Sequence, residues 1–403
     1  MENNVENEKT CFNRRNVYAL SVTSLLTDIS SESVYAVLPF YILSLGYGRD
    51  IVGYVEGLGG FLDSLMRLVS GRLSDRIKKY KLLATIGYFI SLISKPFFAF
   101  ARSWPLIALI RVLDRVGKGI RTSPRDTLLS FSTSPDSRGK AFGLHRSLDT
   151  LGAIIGPLLA FLILPLLGFN GVFILSIVPG LLAVLIIAII VSEKKLCVKI
   201  AVHKDEKRTR PAPLSRRYWF FLVSVGMSGL TGFGQAFLLV RSVELGWSKE
   251  YSLVFLMLSN IVYASIAYPI GIISDRMGDE RHYLYPLVFV ITFITGMVLA
   301  LSSSPLAAIV SFILLGVYMA FNDTLRRIIT GLLLPVESRG AGYGYMHGVY
   351  GFAYLTGNIV LGKLYQLYGA RIGFTYMSFM ALIGFIAALL FTASYKRSIL
   401  NRI

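Results

Sequence analysis

Between Arg111 and Asp126 the sequence reads RVLDRVGKGIRTSPRD, seven charged residues in sixteen, directly after the apolar SWPLIALI. Two chemistries are open to such a set. Guanidinium groups hold a carboxylate or phosphate through paired hydrogen bonds, and a carboxyl group removed from water takes up a proton more readily, so it can carry one. A phosphate loop is excluded by spacing: Walker A requires Gly-x-x-x-x-Gly-Lys-Ser/Thr, whereas Lys118 is followed by Gly119, and no complete copy occurs elsewhere. On a helix at about 100° per residue, Arg111, Asp114, Arg115, Lys118, Arg121, Arg125 and Asp126 fall within an arc of about 140°. Val112, Leu113, Val116 and Ile120 take the opposite side. A loop has no reason to keep this period. The pattern predicts a helix with one face toward polar partners and the other toward apolar neighbours, its charged stripe running about 22 Å.

Further charged residues lie in other apolar segments. Asp28 and Glu32 are four apart, with Ser24, Ser31 and Tyr35 on the same side of a helix. Glu56, Asp63 and Arg67 fall within about 40° of one another. Lys95 stands alone, and His145, Arg146 and Asp149 cluster. The second half is sparser: Arg241 with Glu244, then Asp323, Arg326 and Arg327, then His347 and Lys363. Gln235, Asn260, Tyr263, Tyr318, Asn322 and Tyr350 complete a polar set there. From these, Arg111, Arg115, Tyr35, Asn260, Tyr263, Tyr318 and Asn322 are expected to contact a solute. Asp28, Glu32, Asp114 and Asp149 are expected to carry a coupling proton. The competing reading is an ion-pair network that only locks the first bundle. Cys11 and Cys197 are the sole cysteines, with no CxxC and no paired histidines, so neither a metal nor a cofactor is expected.

The elements that hold these residues follow from composition. Of 403 residues, 54% are hydrophobic and only 16% charged, with mean hydropathy +0.62. A soluble chain carries about 25% charged residues, so this one must meet lipid. Its net charge of +18 is concentrated in stretches between apolar segments, which fits membrane topology and argues against nucleic acid as a partner. A crossing needs about 20 residues. The expected spans are 16–44, 51–73, 82–101, 105–128, 140–166 and 171–191, then 218–244, 250–273, 283–302, 305–330, 340–366 and 371–394, an all-α protein of twelve transmembrane helices. With both termini cytoplasmic, the expected outer loops hold only Arg49, Arg102, Lys249 and Arg371, and nine Lys and Arg fall in 192–217. The expected organisation is a six-helix bundle over 1–191, a cytoplasmic linker over 192–217 and a second bundle over 218–403. No cleavage site follows the first apolar segment, which is read as a retained helix.

The halves repeat. GRLSDRIKKYK at 71–81 returns as GIISDRMGDER at 271–281, and DSRGKAFG at 136–143 returns as ESRGAGYG at 337–344. Each half begins on the same side, so the repeats are parallel, an arrangement suited to rocking two bundles about a central site. At these residues the chain resembles the major facilitator superfamily, over nearly its whole length. The signature of that family, Gly-x-x-x-Asp-Arg/Lys-x-Gly, reads here as Gly71, Asp75 and Arg76, with Lys78 at the second Gly; the other copy is Gly271, Asp275, Arg276 and Gly278. GAIIGP at 152–157 is similar to the family's antiporter motif, with Ala160 replacing its last Gly.

The resemblance implies alternating-access transport, with Gly71, Asp75, Arg76, Arg125, Asp126, Asp275 and Arg276 at an inner gate. The expected protein is a monomeric, multi-pass secondary transporter of the plasma membrane, moving a polar or charged small solute with protons. The rival is a proton-driven multidrug exporter, favoured by Gly156–Pro157 and disfavoured by the charge in the first half. An enzyme would need more than the pair His145 and Asp149, and a receptor or scaffold on this fold would move no solute. The topology has a direct test: tags at Cys11 and within 192–217 should both be shielded from an impermeant reagent in intact cells and labelled after lysis. Labelling of either from outside sinks the twelve-span layout.

Overall fold

A backbone inside hydrocarbon finds no water, so each amide must be satisfied within its own segment, and long apolar runs become helices. The computed structural model describes residues 12–134, 137–193, 214–334 and 339–400. Among these residues the elements are helical, with one isolated bridge between Phe12 and Thr133. In chain order they are α1 (Arg14–Ser44), α2 (Arg49–Ile77), α3 (Tyr80–Ser94) with a 3₁₀ turn at Lys95–Phe100, α4 (Trp104–Phe131), α5 (Arg138–Leu175) and α6 (Ile177–Ile189). Then come α7 (Arg216–Leu230), α8 (Gln235–Glu244), α9 (Lys249–Arg276), a 3₁₀ segment at Gly278–Leu284, α10 (Pro286–Leu301), α11 (Leu306–Leu333) and α12 (Arg339–Leu400). Ser215 and Ser248 open α7 and α9 by accepting from the amides of Tyr218 and Tyr251 at 3.2 and 3.3 Å, which satisfies one of the amides that every helix start leaves over. Most of the expected linker (194–213), together with Cys11, Cys197 and the side chain of Asp75, lies outside the described residues.

By length and composition, seven helical stretches among the described residues can cross a membrane. Two of them, Arg138–Ile189 and Gly342–Tyr395, are 52 and 54 residues long, more than twice the roughly 20 that a crossing needs. Each is interrupted by a glycine in the left-handed region, Gly168 (φ 64°) and Gly369 (φ 80°). Three long helices fall outside the seven because they carry the charges noted above: α1, α2 and α4. Pro124 lies within α4 and leaves it continuous to Phe131. The reverse happens at 218–244, expected as one helix: it breaks at Thr231–Gly234, where Gly232 has φ +62°.

The left-handed residues carry the repeat into the backbone. Gly46 answers Gly246 and Lys78 answers Gly278, both 200 residues apart, and Gly168 answers Gly369 at 201. Lys78 is the one non-glycine residue among them, with φ 56° where its counterpart has φ 55°. Its Cβ crowds the following carbonyl in that conformation, at a cost of about 1–2 kcal/mol.

The chain forms two compact units. One takes in the residues up to Leu38 and Leu65–Arg208; the other takes in Pro39–Ser64 and Thr209 onward. In the first, α3 packs on α4 and α6, and α1 is crossed by α5. In the second, α12 packs on α7 and α10, and α9 on α11, with the first part of α2 against α12. Large apolar side chains point outward, among them Leu109 and Leu113 on α4, which are 53% and 44% exposed while Arg111 between them is fully buried.

Relieving the one strained signature position should stabilise the protein. Lys78→Gly is expected to gain about 0.5–1 kcal/mol, read as a higher Tm in detergent, whereas Gly278→Ala loses about 1 kcal/mol. A lower Tm for Lys78→Gly would show that its side chain contributes more than its backbone costs.

Candidate functional site

The first unit buries its charge along the predicted stripe. Arg111, Asp114 and Arg121 are at most 1% exposed, so the polar face of α4 does point inward. Room for it comes from glycine. A Cβ on Gly117 would stand 2.7 Å from the carbonyl oxygen of Gly87, and one on Gly87 would stand 2.7 Å from that of Gly117, so α3 and α4 touch backbone to backbone. Gly119 admits Met66 in the same way, and Ser70 donates to its carbonyl at 2.8 Å.

Asp114 lies at the centre. It accepts hydrogen bonds from the Tyr35 hydroxyl on one oxygen and from Ser91 at 2.6 Å on the other. The Tyr35 ring in turn carries two guanidinium groups, with Arg111 Cζ 3.8 Å and Arg115 Cζ 4.2 Å from its centroid. A cation over a desolvated ring gains about 2 kcal/mol. Lys95, 1% exposed, donates to Ser30 at 2.9 Å, and Ser30 donates to the Ser176 carbonyl at 2.7 Å.

A second group lies further along α4. Arg121 Nη2 is 3.6 Å from Asp28 Oδ1, outside hydrogen-bond distance, and its guanidinium stands 4.5 Å from the Tyr88 ring centroid. Ser24 bridges the next pair, donating to Asp149 at 2.6 Å and accepting from Arg125 at 3.2 Å. Arg125 also holds Asp126 at 2.8 Å, and Arg146 holds Asp149 at 2.8 Å. His145 is buried with both ring nitrogens unpartnered.

Gly152 and Gly156, from the segment similar to the antiporter motif, seat α5 on the acid-bearing face of α1. A Cβ at Gly152 would lie 2.6 Å from the Leu25 carbonyl and 3.0 Å from Asp28 Cβ; one at Gly156 would lie 2.8 Å from Glu32 Cβ and 2.9 Å from the Ser33 amide. Gly357, 201 residues after Gly156, meets the Leu230 carbonyl of α7 at 2.5 Å by the same measure.

The second unit is built differently. Tyr318, Asn322, Asn260 and Tyr263 are all less than 9% exposed, and Asn322 donates to the Tyr318 hydroxyl at 3.4 Å. Phe233, in the break between α7 and α8, packs on Tyr318 with centroids 4.5 Å apart and the rings tilted by 47°. Arg326, 5% exposed, lies 4.0 Å from the centroid of Tyr350 and pairs with Asp323 at 3.3 Å. At the start of α2, the Arg49 guanidinium is bonded to Glu244, which also accepts from Tyr365 at 2.6 Å and Arg241 at 3.2 Å. Arg49, expected in an outer loop, and Tyr365 were not singled out as site residues from sequence; nothing in their spacing signals a contact across 195 and 121 residues.

The expected gate residues divide. Arg125 and Asp126 are paired, whereas Asp275 is 78% exposed at its side chain and lies 3.7 Å from Arg281. Arg76 and Arg276 are exposed, and a Cβ on Gly71 would lie 3.5 Å from Ser123.

Comparison with known proteins places these residues in a family context. The model for the Major Facilitator Superfamily matches residues 20–284 and 243–402. An MFS-type transporter of Methanocaldococcus jannaschii, described as uncharacterised, is 30% identical over 391 residues, covering 95% of this chain and 96% of the relative. The multidrug resistance protein MdtG of Escherichia fergusonii is 27% identical over 168 residues, 41% of each chain. Among solved structures, the peptide transporter POT in complex with sulfate superposes with TM-score 0.78 at 14% identity, over 98% of both chains. A bacterial homolog of the human lysosomal transporter Spinster, inward-facing and unoccupied, gives TM-score 0.70 at 14% identity, over 94% of both. At such identities the likeness is one of fold.

The α1–α5 contact can be tested apart from transport. Gly152→Ala or Gly156→Ala should cost about 1–3 kcal/mol by overpacking, seen as a lower Tm in detergent. Gly139 and Gly143, on the same helix with nothing within 4 Å of an added Cβ, should tolerate alanine or gain up to about 1 kcal/mol of helix propensity. Equal behaviour at all four positions would contradict the close seat of α5 on α1.

Proposed function

The chain belongs to the major facilitator superfamily, and from that premise we propose a secondary active transporter that moves a polar or charged small solute by alternating access, coupled to protons. One observation carries this reading: α4 holds two guanidinium groups on the ring of Tyr35, whose hydroxyl is bonded to the fully buried Asp114. Buried charge in a membrane helix is costly and marks a solute or ion path by default. Arg111, Arg115 and Tyr35 in the first unit, and Asn260, Tyr263, Tyr318 and Asn322 in the second, are the proposed solute contacts.

Asp28, Glu32, Asp114 and Asp149 are the proposed proton carriers. Asp114 takes two hydrogen bonds, and Asp149 takes bonds from Ser24 and Arg146. Asp28 has Arg121 at 3.6 Å with no hydrogen bond between them, and is the carrier put to the test. The proposed inner gate comprises Gly71, Asp75, Arg76, Arg125, Asp126, Asp275 and Arg276. The proposed topology is twelve spans in two parallel six-helix repeats, in a monomer of the plasma membrane with both termini cytoplasmic. Support for the repeat comes from the left-handed residues recurring at 200–201. Proton-driven multidrug efflux is the second reading, favoured by the partial similarity to MdtG and by Gly152–Pro157.

Proteoliposomes with an internal pH dye discriminate these readings. Amino acids, nucleosides, sugars and small carboxylates are offered as one panel and ethidium as the other. A member of the first panel should move protons in wild type, while Asp28→Asn loses proton movement but keeps solute exchange at zero gradient. Proton movement with ethidium alone would favour efflux, and unchanged coupling in Asp28→Asn would remove that residue from the proton path.

A further inference from the structure

Both units bury guanidinium groups with unmet donors, but the nearest carboxylates differ. In the first unit Asp114 stands among Lys95, Arg111 and Arg115, and Arg121, whose Nε and Nη1 lack partners, faces the buried Asp28 of another helix at 3.6 Å. In the second, Arg326 is buried to 5% exposure, yet its Nε and Nη1 have no hydrogen-bond partner. Only Nη2 reaches a carboxylate, that of Asp323 on its own helix, whose side chain is 31% exposed. A guanidinium is always charged and carries five donors, and burying donors unmet is expensive. Tyr350, whose ring centroid is 4.0 Å from the guanidinium and whose hydroxyl is within hydrogen-bond reach of Arg326, offsets part of that charge, yet Nε and Nη1 stay unmet.

The surroundings have the form of a binding site. The span 216–244 breaks at Thr231–Gly234, and non-helical backbone at that depth persists where it is enclosed by protein or lines a cavity. The break brings Phe233 onto Tyr318 at 4.5 Å, and Tyr318 stands within hydrogen-bond reach of Tyr350. Asn322, one turn before Arg326, gives its Nδ2 to Tyr318 and leaves Oδ1 unpartnered. Tyr318, Asn322 and Arg326 follow at four-residue spacing on α11, so an aromatic ring, an unmet acceptor and unmet N–H donors lie along one side of that helix.

We infer that Arg326 is the anchor for the acid group of an organic anion, a carboxylate or phosphate ester whose flat or apolar body lies against Tyr318 and Tyr350. The inference rests on the transporter reading and deepens it by naming the class of solute. The ligand's oxygens complete the guanidinium, and Asn322 Oδ1 accepts from a hydroxyl or amine on the same molecule.

The test uses purified full-length protein in detergent and phenyl phosphate, benzoate and benzamide as probes, with Tm as readout. Phenyl phosphate and benzoate should raise the Tm of wild type, and isosteric neutral benzamide should not. Arg326→Gln should weaken the response at least about thirtyfold in concentration, the loss of a charge-assisted hydrogen bond, and Arg326→Lys about tenfold, since the charge stays and the planar fork goes. Without ligand, Arg326→Gln should melt no lower than wild type, because it removes unmet donors; a purely structural Arg326–Asp323 pair would instead make both Arg326→Gln and Asp323→Asn less stable. A full anion response in Arg326→Gln, an equal response to benzamide, or no response of wild type to either anion each overturns the inference. Since none of these outcomes involves flux, the transporter reading stands or falls on the proteoliposome assay alone.

Discussion

Charge taken out of water into a protein surrounded by lipid must find its partners inside the same bundle, because hydrocarbon supplies none and an isolated ion costs several kcal/mol even after relaxation. Much of the first unit follows from that constraint. α4 is turned inside out relative to a soluble helix: Arg111, Asp114 and Arg121 face inward while Leu109 and Leu113 face outward. Removing one partner of such a set typically costs roughly 3–5 kcal/mol, so the neighbouring helices are obliged to approach closely enough to supply Tyr35, Ser91 and Asp28. Gly87, Gly117, Gly119, Gly152 and Gly156 allow that approach, each placed where a methyl group would strike a neighbouring helix. Small residues and buried charge are thus two sides of one arrangement.

The second unit meets the same constraint with less charge and more aromatic surface. Tyr350 lies over the Arg326 guanidinium, and Phe233, in a break of the helix backbone, packs on Tyr318. Away from this group, Arg49, Arg241, Glu244 and Tyr365 form a compact knot that ties α2, α8 and α12 together. The first unit is densely paired and the second sparsely charged, so the same constraint is met by ion pairs in one and by aromatic surface and a single charged knot in the other.

The two halves share a backbone plan more faithfully than they share side chains. Left-handed residues fall at the same points in both, and at one of them the first half has replaced glycine with Lys78 at an energetic cost. Side chains diverged around this plan: Arg125 and Asp126 in one half correspond in position to Arg326 and its neighbours in the other, and they are partnered differently.

Sequence by itself determined the class of protein, the helical period of the charged stripe and the internal repeat, because each is a local or periodic property. Hydropathy requires helices, and a 140° arc of charge on α4 leaves one way to face it. It also determined that Gly152 and Gly156 would seat a helix closely, since a small-xxx-small pair has that effect whatever its partner. Only the tertiary structure decided which charges meet. Tyr35 reaches Asp114 across 79 positions and Arg49 reaches Glu244 across 195, and no spacing rule spans such distances. The break at Gly232 was equally hidden, since TGFG at 231–234 sits in an apolar run long enough for one helix. At the break the carbonyl of Gly357 would lie 2.9 Å from a Cβ at Gly232, a contact that exists only once α12 has packed against α7.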